Sequence, residues 1–285
     1  MPDVVVERHG AVLLLRLNRP EQRNAIGGTL FRDLLAAVNE ARDDDGVHVV
    51  VTTGAGSTYC VGADLSHLQH AQDYEPYELL TGGLEMPDGT VLGGETGLRP
   101  LSPGGRRTDF QGAGSRWTAE FWALEKPTIA AINGSAGGGG LAIALLHDFR
   151  IAAVNAKLAT SFLQLGVGPE LGMSYLLPRM VGWSVASDLL LRGRTLTAEE
   201  AADLGLVNEV APADKVLDQA MSLAEELAAR PSIAQQLTKR ELRRAMTSTF
   251  SEQLELEYRT QLSLFALHDH AAALDESRER VSRGH

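Results

Sequence analysis

The stretch Pro127-Thr-Ile-Ala-Ala-Ile-Asn-Gly-Ser-Ala-Gly-Gly-Gly-Gly-Leu-Ala-Ile-Ala-Leu-Leu-His-Asp148 decides how the chain is read. Residues 128–132 are an apolar, β-prone run, Asn133-Gly134 is a turn signal, and residues 141–146 carry neither Pro nor Gly and suit a buried helix. The order is strand, glycine loop, helix. Gly137 to Gly140 are four successive glycines, which cost backbone entropy and so need a reason. Positive φ, close approach of another backbone, or a ligand meeting bare N–H groups at a helix start would each supply one.

Upstream, residues 4–7 and 11–17 read as two strands joined at His9-Gly10. Leu30, Leu34, Val38 and Ala41 recur at helical spacing until Asp43-Asp44-Asp45-Gly46 stops them, and residues 47–53 form a buried strand ending in Gly54-Ala55-Gly56. Strand, helix, strand, glycine loop is the α/β rhythm, in which ligands collect at the carboxyl ends of strands. Residues 67–117 differ in kind, because repeated Gly and Pro interrupt any period, and a loop of that length is a lid or a disordered segment. Tyr74, Tyr77, Leu79 and Leu80 either line a pocket or form a short packed helix. Arg99, Arg106, Arg107 and Arg116 either meet phosphates or solvate the loop.

Downstream, residues 149–154 and 158–162 read as strands, and residues 164–174 form a second glycine-marked loop leading into a helix around 175–181. Thr197-Ala-Glu-Glu200 is a capping-box pattern, residues 206–210 a strand, and a helix begins at Pro212 or Asp214. Leu254, Tyr258, Leu262 and Phe265 form an apolar stripe suited to core or to a subunit interface. The boundary falls near Pro212, giving an α/β core over residues 1–211 and a helical C-terminal region over 212–285.

Composition restricts the partners. The chain has 285 residues, of which 44% are hydrophobic, enough for a full core. A formal net charge of −11 argues against a nucleic-acid surface or an anionic membrane. One cysteine excludes an internal disulfide framework and fits a reducing compartment; with no secretory signal evident at Met-Pro-Asp and no bilayer-spanning run, a cytoplasmic placement is expected. Cys60 is either a nucleophile or, more in keeping with its uncharged neighbours, a packed core thiol. His67 and His70, like His268 and His270, have metal-ligand spacing but no accompanying acids, so no metal site is expected. Tyr59 stands where a dinucleotide fingerprint after Gly54-Ala55-Gly56 would need its third glycine, and Leu141-Ala142 stands where a P-loop would need Lys and Ser/Thr.

Several stretches together resemble the crotonase superfamily, the enoyl-CoA hydratase/isomerase group. They are Leu17-Asn-Arg-Pro20 with Asn24-Ala25, Cys60-Val-Gly-Ala-Asp-Leu65, Lys126-Pro-Thr-Ile-Ala-Ala-Ile-Asn-Gly134 with Gly137 to Gly140, Pro178-Arg-Met-Val-Gly182, and Thr197-Ala-Glu-Glu-Ala-Ala-Asp-Leu-Gly-Leu-Val207. The ordered set spans residues 4 to about 245. The resemblance implies a crotonase-like α/β spiral of ββα units with a C-terminal helical trimerisation region, assembled as a homotrimer or dimer of trimers. It implies an acyl-CoA thioester substrate and no separate cofactor, coenzyme A being part of the substrate.

By motif position, the backbone N–H groups of Ala63 and Gly139 would hold the thioester enolate oxygen, with Gly138 to Gly140 at a favourable helix start. Coenzyme A would lie over Val61, Gly62, Ala63, Asp64 and Leu65, near Ala25, with Arg23 or Arg19 at its phosphates. The resemblance also exposes a departure. The two glutamates of the family's hydratases correspond to Ala142 and Phe162, neither of which transfers a proton. Glu170, in Gly168-Pro-Glu-Leu-Gly172, is the remaining carboxylate in a motif position, acting in catalysis or capping the following helix; Asp64 is a rival acid. The expected reaction is therefore a 3-enoyl to 2-enoyl-CoA isomerisation at Glu170. Hydration with a rearranged acid/base set, or acyl-CoA binding with little turnover, are the alternatives.

Overall fold

The computed structural model describes residues 2–65, 95–99 and 101–267, together with Leu274 and Arg278. His67, His70, Tyr74, Tyr77, Leu79, Leu80, His268 and His270 lie outside the described residues. Strands β1 (Val4–His9) and β2 (Val12–Leu17) pair antiparallel through the expected turn. Helix α1 (Leu30–Asp43) follows, burying Leu30, Leu34, Val38 and Ala41 on one face. Strand β3 (Val49–Gly54) then lies parallel to β2, Val51 opposite Leu14, and every residue of β3 is buried. A continuous β-branched run such as Val49-Val-Val-Thr-Thr53 is what a strand covered on both faces requires.

The strand of the glycine stretch is β5 (Thr128–Ile132), reached through β4 (Thr58–Cys60) and the helices α2 (Pro103–Arg107) and α3 (Gly112–Trp122). Strands β6 (Ser135–Gly137), β7 (Phe149–Ala153), β8 (Lys157–Ala159), β9 (Thr195–Thr197) and β10 (Glu209–Ala211) complete two sheets. The larger is ordered β1-β2-β3-β5-β7-β10 and the smaller β4-β6-β8-β9. Apart from β1 with β2 and β8 with β9, the pairings are parallel. The passages β3–β4, β5–β6 and β7–β8 run from the large sheet into the small one, the last two going on to α4 and α5, which is the ββα rhythm.

The remaining helices are α4 (Gly139–Leu145), α5 (Met173–Arg192), α6 (Ala198–Asp203), α7 (Val216–Ala228), α8 (Ser232–Ala245) and α9 (Phe250–Phe265). Helix α6 begins with the anticipated capping box, Thr197 Oγ1 accepting from the Glu200 N–H and Glu200 from the Thr197 N–H. Val216, Ala220 and Ala224 of α7 are fully buried on β2, β3, β5 and β7, so the main core continues past residue 211. The stripe Leu254, Tyr258, Leu262 and Phe265 on α9 is at least 49% exposed, which removes the core option for it in the single chain.

Several boundaries depart from the sequence reading. Residues 67–117 are not loop throughout, because α3 starts at Gly112 and seats Trp117 in the core, stacked on Phe31 at 4.2 Å with Nε1 donating to the Phe31 carbonyl. Arg116 pairs with Asp109 at 3.1 Å instead of solvating a loop. Strand β8 stops at Ala159, short of Phe162, because Ser161 adopts φ +54°, which no extended strand accepts. The strand expected over 206–210 begins at Glu209, since the Leu206 and Val207 N–H groups both donate to the Ala201 carbonyl and close α6. Helix α5 is broken at Gly182, whose φ +78° and ψ +163° are not helical, so its first part ends near residue 181 as read and a second helical stretch runs on to Arg192.

Candidate active site

The site is built where three backbones meet. Ile26 bridges to the segment after β4, its N–H donating to the Gly62 carbonyl at 2.7 Å and its carbonyl accepting from the Asp64 N–H at 3.1 Å. This clamp engages the neighbours of Ala63 and leaves the Ala63 N–H with no acceptor among the described residues. Gly62 has φ +91°, and a methyl group there would lie 2.7 Å from the Gly137 carbonyl oxygen and 3.1 Å from the Gly139 nitrogen. Only glycine allows that approach. It sets the peptide before Ala63 directly beside the start of α4.

Gly138 caps α4 at φ +50°, ψ −123°, and its N–H donates to Ala159 at the end of β8, 2.9 Å away. The first intrahelical bond of α4 runs from Ala142 N–H to the Gly138 carbonyl, so the Gly139 N–H is a free first-turn donor among the described residues. Two N–H groups unengaged among the described residues, of Ala63 and Gly139, thus lie on adjoining segments that meet at Gly62. Gly140 and the Cys60 carbonyl are in contact too close for any side chain at 140. The glycine run answers a packing demand at 140 and a conformational one at 138.

The second glycine loop closes over this point. Leu171, at φ +52° and 3% exposed, places a methyl 3.4 Å from where a methyl on Gly139 would sit. Glu170 precedes it. The Glu170 carbonyl accepts from the Met173 N–H at 3.1 Å, while its carboxylate makes no hydrogen bond or ion pair among the described residues. The cap of α5 is Gly172, with no side-chain bond, so the capping role weighed for Glu170 is not the one it fills. Desolvation by the surrounding protein raises the Glu170 pKa above the usual carboxylate value. Glu170 is nonetheless exposed in the single chain, which limits the size of that shift but not its direction.

The two other motif positions offer nothing titratable. Ala142 is fully buried in α4 and Phe162 is 5% exposed, packed in the core after β8. Arg19 donates to the Ala25 carbonyl at 2.6 Å and pairs with Asp64 at 3.3 Å, so both charges serve to brace the turn. Arg23, exposed and at φ +54°, has a side chain with no partner among the described residues. Of the two arginines expected near a phosphate, Arg23 is the one left unengaged. Val61 and Ala63 are half-buried and Leu65 is exposed beside it, whereas Ala25 is buried. Cys60 is fully buried with its thiol pushed up to about 12 by desolvation, in keeping with a core residue.

The sequence reading missed Ile26 and Leu171, whose contacts set the two loops. It also missed a buried polar set behind the glycine stretch. His147 Nδ1 lies 2.9 Å from the Ile143 carbonyl and Nε2 lies 2.9 Å from Thr52 Oγ1, which lies 2.8 Å from the Tyr59 hydroxyl. A carbonyl only accepts, so Nδ1 carries the proton and Nε2 accepts from Thr52. The one signal for it was a histidine closing an otherwise apolar helix.

The fold is an α/β structure of mainly parallel strands in two sheets, with two N–H groups unengaged among the described residues beside a glycine-capped helix. The chain belongs to the enoyl-CoA hydratase/isomerase family, within the crotonase superfamily, whose profile matches residues 7–85 and 103–282. It is 35% identical over 266 residues to a relative from Rhizobium meliloti (strain 1021) named as a probable enoyl-CoA hydratase, covering 93% of this chain and 91% of the relative. It is 33% identical over 246 residues to the 1,2-epoxyphenylacetyl-CoA isomerase of Escherichia coli (strain K12), covering 86% and 84%. The crystal structure of an enoyl-CoA hydratase from Polaromonas sp. JS666 superposes with a TM-score of 0.81 at 28% identity, covering 97% of each chain.

Proposed function

We propose that this chain moves the double bond of a 3-enoyl-CoA to the 2-position, with Glu170 as the proton carrier. The observation that carries this reading is the Glu170 carboxylate, without a partner among the described residues and next to Leu171, which packs toward Gly139, while Ala142 and Phe162 supply no acid at the family's two glutamate positions. In the ionised form Glu170 takes a proton from C2. The electron pair then spreads over the thioester oxygen, C2 and C4, and the oxygen charge is met by the N–H groups of Ala63 and Gly139. Returning the same proton to C4 leaves the double bond between C2 and C3. One carboxylate suffices, and its raised pKa brings proton affinity nearer to that of the carbon acid.

Arg23 supplies a cation for the coenzyme A phosphates, Val61, Gly62 and Leu65 border the pantetheine, and Gly138 and Phe162 bound the acyl entrance. Asp64, tied to Arg19, holds the turn. The exposed stripe on α9 supports assembly as a homotrimer or dimer of trimers.

Isomerisation of 3-hexenoyl-CoA, followed by the rise in absorbance of the conjugated thioester, tests the assignment. Glu170→Gln should lower the rate by about 10²–10⁴. An unchanged rate would overturn it. The naming of the Rhizobium relative favours hydration as a second reading. Loss of absorbance when a 2-enoyl-CoA is supplied, at a rate exceeding the isomerisation, would select that reading instead.

A further inference from the structure

Helices α3, α5 and α8 enclose an open cleft of about 700 Å³ next to the site. One end touches the site through consecutive residues. Leu171 fills the gap between Gly139 and Gly114, its methyls 3.4 Å from where a methyl on either glycine would lie, and Gly172 and Ser115 are the first residues of the cleft wall. Ala119, Trp122, Leu146 and Leu176 make the middle apolar. Arg240, Arg243 and Arg244 line the side formed by α8.

These arginines are not equally compensated. Arg240 is held by Glu125 in a two-pronged pair at 2.5 and 2.6 Å. Asp148 is shared between Lys239 at 2.5 Å and Arg243 at 4.0 Å, one carboxylate between two cations. Arg243 lies over the Trp122 ring at 4.1 Å, and its Nε is buried without an acceptor. Arg244 is exposed and makes no side-chain hydrogen bond or ion pair among the described residues; the acid it acts on, Glu252, is occupied at the cap of α9 by Thr249. The cleft wall therefore carries surplus positive charge on a chain whose net charge is −11.

We propose that the cleft receives the far end of an acyl chain ending in a carboxylate, with Arg244 as its counter-ion; this rests on the acyl-CoA reading above. Methylenes favour the apolar middle over water, and a guanidinium binds a carboxylate through charge-assisted hydrogen bonds. Leu146, about 10 Å from Gly139 along α4 at 1.5 Å per residue, lines the apolar middle of the cleft, so a medium-length chain passing Leu171 is required to reach that middle.

Calorimetric titration with octanoyl-CoA and octanedioyl-CoA, which differ only in the terminal carboxylate and do not react, tests the proposal. The unmodified protein should bind octanedioyl-CoA about tenfold tighter. Arg244→Ala should bring the two affinities together, Arg244→Lys should restore part of the difference, and Ala119→Trp should weaken both ligands by filling the middle of the cleft. Equal or weaker binding of octanedioyl-CoA by the unmodified protein, or an undiminished preference in Arg244→Ala, would overturn it. Turnover of 3-hexenoyl-CoA in Glu170→Gln is read separately. Loss of that dependence defeats the isomerase reading without touching the affinity ratio.

Discussion

Behind the glycine stretch and in front of it lie two kinds of perturbed ionisable group. Behind, His147 is pushed down to about 3 and Lys239 to about 8, in both cases chiefly by burial. In front, Glu170 is raised by desolvation. The difference is in satisfaction. Both nitrogens of His147 are hydrogen-bonded, and Lys239 reaches Asp148 and the Lys126 carbonyl. Glu170 has no partner among the described residues. A large shift in a fully bonded group belongs to structure, whereas a raised pKa on a carboxylate with no bonded partner is what the proposed proton transfer needs.

Substitutions on the two sides should separate rate from stability. The largest effect is expected in front, where Glu170→Gln removes about 10²–10⁴ of the isomerisation rate. Behind, Asp148→Ala should cost about 3–5 kcal/mol by stranding the Lys239 ammonium, read from chemical denaturation. Adding Lys239→Met should recover much of that loss. If Asp148→Ala instead left stability intact and lowered the rate, the division between the two regions would fail.

The pH responses are smaller and opposite in kind. His147 is neutral in the folded chain down to about 3 but takes a proton near 6.5 when unfolded. Its contribution to stability is therefore complete above about 6.5 and is lost progressively as pH falls toward 3, at up to about 1.4 kcal/mol per pH unit. His147→Phe should flatten that part of the stability profile. The smallest effect belongs to Glu170, whose raised pKa means that stability falls as pH rises from the ordinary carboxylate value toward the folded one, the penalty being complete above it. Glu170→Gln should thus be slightly more stable than the unmodified chain at neutral pH, measured by thermal unfolding. A clear loss of stability would mean that Glu170 is braced after all.

What the sequence disclosed depended on the range of the signal. The β1–β2 hairpin, α1, β3 and the Thr197 capping box rest on neighbours within a few positions, and the structure has each of them. The β8 end was misjudged because Ser161 turns to positive φ, which nothing in its residue type signals along the chain. Trp117 was assigned to a loop because Gly112 and Gly114 mask the helical spacing of Ala113, Trp117 and Phe121. The family motifs carried Ala63, Gly139 and Glu170, but not the reason they are held. That reason is the clamp of Ile26 on Gly62 and Asp64, and Leu171 against Gly139. The cleft was out of reach altogether, since it brings Ser115, Gly172 and Arg244 together from three separate helices.

Lys126, just ahead of β5, joins three distant parts of the chain. Its ammonium donates to the Ala41 and Asp44 carbonyls at the end of α1, and its own carbonyl accepts from Lys239 of α8. The Lys239 bond to Lys126 spans 113 positions of chain, so closing it costs loop entropy that local contacts do not. Contacts formed after the folding barrier act on the way out: they slow unfolding and leave the folding rate nearly untouched. Lys239→Met should therefore raise the unfolding rate more than it lowers the folding rate, read from the two arms of a denaturant chevron.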